Sequence, residues 1–95
     1  MKMNGTSFQK LVWRELLSIP LGETRTYKQI AYAIGRPGSS RAVANACASN
    51  PYAPLVPCHR VIRSDGRVGG YSGQGGVERK LLMLEKEGVQ DLRNK

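Results

Sequence analysis

The chain has few of the residues that ligate metals or form disulfides. Its 95 residues include only two cysteines, Cys47 and Cys58, and one histidine, His59. Structural zinc sites need paired cysteine or histidine ligands at short spacing, and small secreted domains usually carry more cysteines. We therefore expect no metal and no cofactor. A reducing intracellular setting, which a nucleophilic thiol would need, is also expected.

Acidic residues and long apolar runs are scarce as well. Fifteen Lys and Arg residues face seven Asp and Glu, which leaves a net charge of +8. No apolar run approaches the roughly 20 residues of a membrane span, and the N-terminus lacks the apolar region of a signal peptide. We predict a monomer with no membrane partner, in the cytoplasm or nucleoid of a prokaryote or the nucleus of a eukaryote. The charge favours nucleic acid as the partner over an inert basic surface.

The N-terminal half predicts helices with defined starts. Thr6 and Gln9 have capping-box spacing, as do Thr26 and Gln29, and each pair precedes apolar residues at helical intervals. Gly35 is placed to end the second helix. We expect a single domain over 6–88, between a loose leader at 1–5 and a frayed tail at 89–95.

A third helix is predicted from about Ser40 to Ala48, after a turn and with Ser39 as its N-cap. Together with the second helix it makes a helix-turn-helix pattern. Its inward residues are expected to be Ala42, Val43, Ala46 and Cys47. Its outward face carries small side chains with only two longer ones. This pattern fits close, sequence-tolerant contact with the minor groove of DNA and fits equally a packed helix rich in alanine. The candidate DNA contacts are Ser40, Arg41, Ala44 and Asn45.

The C-terminal half is more irregular. Three prolines make 50–57 a rigid connection, and residues 61–68 read as a hairpin with Asp65 and Gly66 in its turn. A glycine-rich loop follows at 69–76, and a last helix is expected from about Val77 to Glu87. The fold class is therefore mostly α, a winged helix-turn-helix-like domain with a small β-hairpin wing.

The segment Pro57-Cys58-His59-Arg60-Val61 carries the strongest chemical signal. A thiol is a strong nucleophile only as the thiolate, which nearby imidazole and cationic groups favour. Cys58 beside the only histidine therefore reads as a nucleophile with its activator. In the last helix, Glu85 follows Leu81 and Leu82 by four and three residues. We expect it on the buried face, either orienting an imidazole or reaching water or a backbone amide.

The segment 57–61 resembles the active-site motif of the O6-alkylguanine-DNA alkyltransferases. Other segments resemble this family in the same order. Gly22–Tyr27 resembles the segment that starts the helix-turn-helix, and Arg41–Val43 resembles the start of its recognition helix. Asn50–Pro51 resembles the hinge before the active site, and Gly70–Gly73 resembles the loop over the base. The resemblance covers about Phe8 to Glu87. It points to the family's C-terminal DNA-binding and catalytic domain, without the N-terminal domain of many members.

The resemblance implies direct DNA repair in a single turnover. The protein would bind duplex DNA through the minor groove and rotate an O6-alkylated guanine out of the stack. Arg41 would fill the gap, and Tyr27 would push the 3′ phosphate and donate to guanine N3. Cys58 would take the alkyl group as a thioether, with His59 drawing its proton through a water and Glu85 holding the imidazole.

The resemblance also implies the pocket. Asn50 would brace the turn around the active site, and Ser72 would donate to guanine O6. The carbonyls of Cys58 and Val61 would accept from the guanine amino group, and Tyr71 would form an apolar wall. Cys47 is expected to be buried and inert.

Two departures and two alternatives accompany this hypothesis. Gln74 stands where many relatives have glycine, and Ala48 stands at a position that is basic in some members. Alkyltransferase-like proteins of this size bind alkylguanine without chemistry, but they usually replace the cysteine with tryptophan or alanine. A winged-helix regulator without chemistry would leave the motif at 57–61 unexplained.

Overall fold

The computed structural model describes residues 2–71 and 75–89. Within them lie four α-helices and one parallel sheet of two short strands, which confirms the predicted mostly helical fold class. The elements in chain order are α1 (Ser7–Leu16), β1 (Arg25–Thr26), α2 (Tyr27–Ala33), α3 (Ser40–Ala48), a 3-10 turn (Cys58–Arg60), β2 (Val61–Ile62) and α4 (Gly76–Lys86).

Capping boxes start α1 and α2, as the sequence predicts. The hydroxyl of Thr6 accepts from the Gln9 amide at 3.0 Å, and the Gln9 side chain accepts from the Thr6 amide at 2.8 Å. Thr26 and Gln29 repeat the same two bonds at the start of α2. Each box satisfies amide donors that a helix start leaves without intrahelical partners.

The bounds of α3 agree with the prediction, but one inward residue was predicted wrongly. Val43, Ala46 and Cys47 are buried, where α1 and α2 pack on α3, whereas Ala42 is exposed. At about 100° per residue, Ala42 lies roughly 40° beyond the edge of the arc that those three residues define. Ser39 is the N-cap, although its side chain makes no capping hydrogen bond.

The core is centred on Trp13, which the apolar pattern did not single out. Its indole Nε1 donates to the Ala46 carbonyl at 2.9 Å, and its ring meets Tyr52 edge-on with centroids 5.6 Å apart. The expectation of a loose leader is wrong for two residues. Met3 is buried in the same core, and the Asn4 amide donates to the Tyr52 hydroxyl at 2.7 Å.

The predicted hairpin is present as a turn, and its first strand pairs elsewhere. The Arg63 amide donates to the Arg67 carbonyl at 2.9 Å, and Gly66 has a positive φ of 87° in the turn. β2 instead pairs in parallel with β1, in the register Arg25 with Val61 and Thr26 with Ile62. This pairing joins the start of α2 to the residues that follow the 3-10 turn.

α4 ends as expected, with Glu87 as its C-cap and Gly88 at φ 90°. A positive φ after the last turn is the usual place for glycine. Residues 90–95 of the predicted tail, and Ser72 and Gln74 of the glycine-rich loop, lie outside the described residues. In the part of the chain that is described, no helix combines the length and the apolar character that crossing a bilayer requires.

Candidate active site

A cavity of about 750 Å³ brings the predicted nucleophile and the predicted DNA-facing helix together. Cys58, only 3% exposed, lines it. The other lining residues come from α2, α3, the turn after β2 and the start of the glycine-rich loop: Tyr27, Ser40, Arg41, Ala44, Asn45, Cys47, Ala48, Arg63, Ser64, Gly69, Gly70 and Tyr71. An opening of this size falls in the range of small-ligand sites.

The backbone around Cys58 is held by short-range hydrogen bonds. The buried Asn50 side chain donates to the Val56 carbonyl at 2.9 Å and accepts from the Tyr52 amide at 2.9 Å, which closes the proline-rich connection on itself. The Cys58 amide donates to the Val56 carbonyl at 2.8 Å. The 3-10 turn then directs consecutive side chains about 120° apart, so that Cys58 and His59 face different surroundings.

His59 is buried and paired with a carboxylate. Its Nε2 lies 2.7 Å from Oε2 of Glu87, while Nδ1 is buried with no hydrogen-bond partner among the described residues. Burial lowers the pKa of His59, although Glu87 opposes the shift. The imidazole is therefore neutral at pH 7, with Nε2–H donating to the carboxylate and Nδ1 able to accept a proton.

Glu87 is also held by Arg60. Arg60 Nε donates to Oε1 at 2.8 Å and Nη2 to Oε2 at 3.2 Å, and Nη1 donates to the Ile19 carbonyl at 2.9 Å. Burial alone would raise the pKa of Glu87, but the hydrogen bonds from Arg60 and His59 outweigh it and lower the pKa. The carboxylate is ionised at neutral pH.

The prediction that Glu85 holds the imidazole is wrong. Glu85 is exposed, and the carboxylate that contacts His59 is Glu87. The prediction took Leu81 and Leu82 as the centre of the buried face, whereas Leu82 is exposed and the fully buried residues are Lys80 and Leu84. Glu87 follows those two by seven and three residues, which is the same side of a helix. Because the buried face of α4 includes the charged residue Lys80, the apolar pattern alone indicated the wrong side of the helix.

Lys80 is the second residue that the sequence did not reveal. It is fully buried, and its Nζ donates to the Val61 carbonyl at 2.7 Å and to the Gly70 carbonyl at 3.0 Å. The ammonium also lies 5.9 Å from the centroid of the Tyr27 ring. Burial lowers the pKa of Lys80 to about 8, and the neighbouring Cys47 and Cys58 oppose the shift.

Two tyrosines and a second thiol complete the cavity wall. Burial raises the pKa of Tyr27 to about 12, and a Cβ placed on Gly69 would lie 3.0 Å from its hydroxyl oxygen. Burial and then Cys58 raise the pKa of Tyr71. Burial, with Cys58 adding to it, raises the pKa of Cys47 to about 12, so this thiol is protonated at pH 7.

The family model described as "6-O-methylguanine DNA methyltransferase, DNA binding domain" matches residues 7–89. The chain belongs to this family. It is 53% identical over 87 residues to a probable methylated-DNA–protein-cysteine methyltransferase of Acanthamoeba polyphaga mimivirus, covering 92% of this chain and 56% of the relative. The chain spans about half the length of most of the curated relatives it matches, and a quarter of the length of two others.

Solved structures of the family have the same fold. Mycobacterium tuberculosis OGT in complex with DNA superposes with a TM-score of 0.86 at 52% identity, over 90% of this chain and 52% of that one. Schizosaccharomyces pombe Atl1, in complex with damaged DNA containing O6-carboxymethylguanine, superposes with a TM-score of 0.80 at 34% identity. That match covers 93% of this chain and 82% of Atl1.

Within this family frame, most of the predicted site residues lie together. The cavity contains the predicted nucleophile, both predicted tyrosines and all four predicted DNA contacts: Cys58, Tyr27, Tyr71, Ser40, Arg41, Ala44 and Asn45. Three further predicted residues are buried. His59 and Val61 lie within three residues of Cys58 in sequence, and Asn50 makes the hydrogen bonds described above that close the proline-rich connection. Ser72 lies outside the described residues. Arg63 and Ser64 also line the cavity, and no sequence motif marked them as site residues.

Proposed function

We propose that this chain repairs alkylated DNA directly, by irreversible transfer of the alkyl group of an O6-alkylguanine to Sγ of Cys58. The observation that carries the proposal is that Cys58 lines one cavity together with the outward residues of α3, while the adjacent His59 is paired with an ionised Glu87. A nucleophile, a base and a third group that orients the base are the usual parts of nucleophilic catalysis.

The proposed reaction is a single displacement at carbon. The thiol proton of Cys58 passes to Nδ1 of His59 through a water, and the sulfur attacks the alkyl carbon. The S–C bond forms as the bond from that carbon to guanine O6 breaks. The electron pair stays with the guanine, which takes up a proton at N3 from solvent, and the imidazolium of His59 returns the thiol proton to solvent. The product is a thioether that has no route back to the thiol, so each molecule acts once.

DNA binding by α2 and α3 would place the base in the cavity. The target atom is not accessible within a duplex, so the guanine must leave the stack. We propose that Arg41, exposed on α3, fills the gap, and that Tyr27 meets the adjacent phosphate and guanine N3. The carbonyls of Cys58 and Val61 would accept from the guanine amino group, with Tyr71 as an apolar wall and Ser72 donating to O6. The Val61 carbonyl already accepts from Lys80, but a second lone pair is available.

The finer domain assignment and the setting are parts of the same proposal. We propose that these 95 residues correspond to the family's C-terminal domain, which carries both the DNA-binding helices and the reactive cysteine. The proposed monomer would act where DNA and reduced thiols coexist, in the cytoplasm or nucleoid of a prokaryote or in a nucleus.

A second candidate function is lesion binding without chemistry. It is favoured by the match to Atl1, whose crystallised complex contains an alkylated guanine and most of whose length this chain covers. The buried Cys58 beside a paired histidine favours transfer over binding alone.

Intact mass spectrometry separates these functions. The protein is incubated with excess duplex carrying one O6-methylguanine, and with the same duplex carrying guanine as the matched control. Transfer predicts a gain of one methylene that maps to the peptide containing Cys58 and is absent in Cys58→Ala. Lesion binding predicts preferential binding to the damaged duplex with unchanged mass. Equal binding to both duplexes without a mass change would leave only a general DNA-binding module.

A further inference from the structure

We propose that Arg60 is a positioning residue of the reactive centre: it fixes Glu87 so that His59 presents Nδ1 as the proton acceptor, and it ties this pair to the end of α1. The assignment deepens the proposed function and rests on it. Arg60 makes three hydrogen bonds of 2.8, 3.2 and 2.9 Å, which engage both oxygens of Glu87 and the Ile19 carbonyl.

The first step of the argument is the direction of the hydrogen bond at His59. Oε2 of Glu87 accepts from Arg60 Nη2 and lies 2.7 Å from His59 Nε2. An ionised carboxylate only accepts, so Nε2 must be the donor and carry the proton. A guanidinium that is always charged keeps the carboxylate ionised, since Arg60 holds both oxygens. The proton on Nε2 leaves Nδ1 of a neutral ring with its lone pair.

The second step is the charge of the imidazole. A histidine beside a carboxylate alone tends to become an imidazolium, which has no lone pair to accept the thiol proton. The charged groups that act on His59 are Glu87 and Lys80 on α4 and Arg60 in its own turn. The two cations counter the carboxylate, and burial acts in the same direction. Burial is the largest of the effects that lower the pKa of His59 and keep the ring neutral, so Arg60 fixes the tautomer and adds to the neutrality.

The third step is the anchor. Nη1 of Arg60 donates to the carbonyl of Ile19, which follows α1. The chain that continues from Ile19 to Gly22 lies against the end of α4. A Cβ added to Gly22, whose φ is +88°, would lie 3.1 Å from the Glu87 carbonyl oxygen. One guanidinium thus joins the connection after α1, the 3-10 turn and the C-terminus of α4. A lysine ammonium is a compact point charge without the planar fork that serves all three acceptors.

Nitrogen-15 NMR of the imidazole tests this directly, because His59 is the only histidine and needs no assignment. In the unaltered protein at pH 7 we expect one neutral tautomer with the proton on Nε2. In Arg60→Met we expect a mixture of tautomers or an imidazolium, with the His59 pKa raised. Arg60→Lys should lie between the two, and it provides the readout if Arg60→Met does not fold.

Reactivity of Cys58 supplies the second measurement. We expect methyl transfer and iodoacetamide alkylation of Cys58 at pH 7, each mapped by mass, to slow at least about tenfold in Arg60→Met, part of the ~10²–10⁴-fold that a positioned base provides. The acid limb of the rate profile should move to higher pH, because the base is lost when it is protonated. Duplex affinity should stay within about twofold.

Arg25→Met is the matched control, since Arg25 also pairs with a glutamate and with a backbone carbonyl, but at a half-exposed site away from His59. It should leave the imidazole signals and the Cys58 rate unchanged. An unaltered tautomer and His59 pKa in both Arg60 variants, whatever their rates, would overturn the proposal. The NMR result does not depend on alkyl transfer, so it stands apart from a failure of the proposed function itself.

Discussion

The outward face of α3 and the inner face of α4 border the same reactive turn and differ in how they use charge. α3 presents small side chains with a single exposed cation, Arg41, toward the cavity. On the α4 side, the Lys80 ammonium contacts the Val61 carbonyl just after the 3-10 turn, and the carboxylate of the C-cap Glu87 contacts His59 within the turn. The contrast teaches that the α3 face proposed to meet DNA has few cations, while the charges beside the reactive turn are buried or half-buried and each has defined partners.

The largest effect on the reactivity of Cys58 is expected from neutralising Glu87 at the end of α4. Glu87→Gln removes the negative charge and one of the two oxygens that accept from His59 and Arg60, so we expect Cys58 to react about 10²-fold more slowly. Because the pKa of Glu87 is lowered by folding, its stabilisation is present above its unfolded pKa near 4.3 and lost as the pH falls through the lower folded value. Thiol alkylation rates and acid unfolding curves measure both effects.

Glu85→Gln is the matched control for that variant. Glu85 lies two residues earlier on the same helix and is exposed. It should leave the rate of Cys58 alkylation nearly unchanged. A loss of reactivity in Glu85→Gln equal to that in Glu87→Gln would contradict the assignment of the carboxylate.

Replacing Lys80 should show how far the buried ammonium stabilises the cavity wall. Lys80→Met leaves the Val61 and Gly70 carbonyls without their donor, at a cost of about 2 kcal/mol in the free energy of unfolding at pH 7. Chemical denaturation measures this value. A variant as stable as the parent at pH 7 would show that these two bonds do not hold the wall.

The pH dependence of the same pair of proteins has a defined sign. Folding lowers the pKa of Lys80 to about 8, so between pH 8 and its unfolded value the unfolded chain binds more protons. The parent should therefore gain stability relative to Lys80→Met as the pH rises through this window. Taking the difference between the two proteins cancels the ionisation of the tyrosines and thiols.

Removing the one exposed cation of α3 should affect DNA substrates alone. We expect Arg41→Ala to slow methyl transfer from duplex about tenfold, while transfer from free O6-methylguanine base changes less than twofold. Single-turnover rates on the two substrates measure the ratio. Equal slowing on both would place Arg41 in the chemistry instead of in DNA handling.

The smallest effect is expected from adding a cation to α3, which should change only the affinity for duplex DNA and its salt dependence. Ala48 lines the cavity and is exposed, so Ala48→Lys should raise duplex affinity a few-fold and steepen the salt dependence by about 0.9 in log–log slope for one added phosphate contact. Ala42→Lys is the matched control, since Ala42 is exposed on the same helix and does not line the cavity. Identical slopes for the two variants would argue against a phosphate near position 48.

Local signals predicted the helices well because their causes are local. The hydroxyl-to-amide bonds of Thr6 and Thr26 need only neighbours three residues away, and Gly88 ends α4 by its own backbone conformation. The nucleophile and histidine were likewise adjacent in sequence. These features depend on no distant partner.

What the sequence did not predict depends on partners distant in sequence. Lys80 is buried only because two carbonyls, of Val61 and Gly70, meet it in the folded chain, and no helical pattern marks such a residue as internal. Because the apolar pattern did not place Lys80 on the buried face, it predicted Glu85 instead of Glu87 as the carboxylate that contacts His59. The pairing of β2 with β1 was missed for the same reason, since parallel neighbours need a long connection and leave no turn signature.

The two-residue parallel ladder has a mechanical consequence. Thr26 caps α2 and is also the register partner of Ile62, so the first turn of the helix-turn-helix and the strand leaving the reactive turn share a backbone connection. Neither can shift along the other without breaking hydrogen bonds of the ladder. A duplex that tilts α2 would therefore carry the wall of the cavity with it, and strain applied at the DNA surface would be transmitted to the sulfur's surroundings through main chain alone.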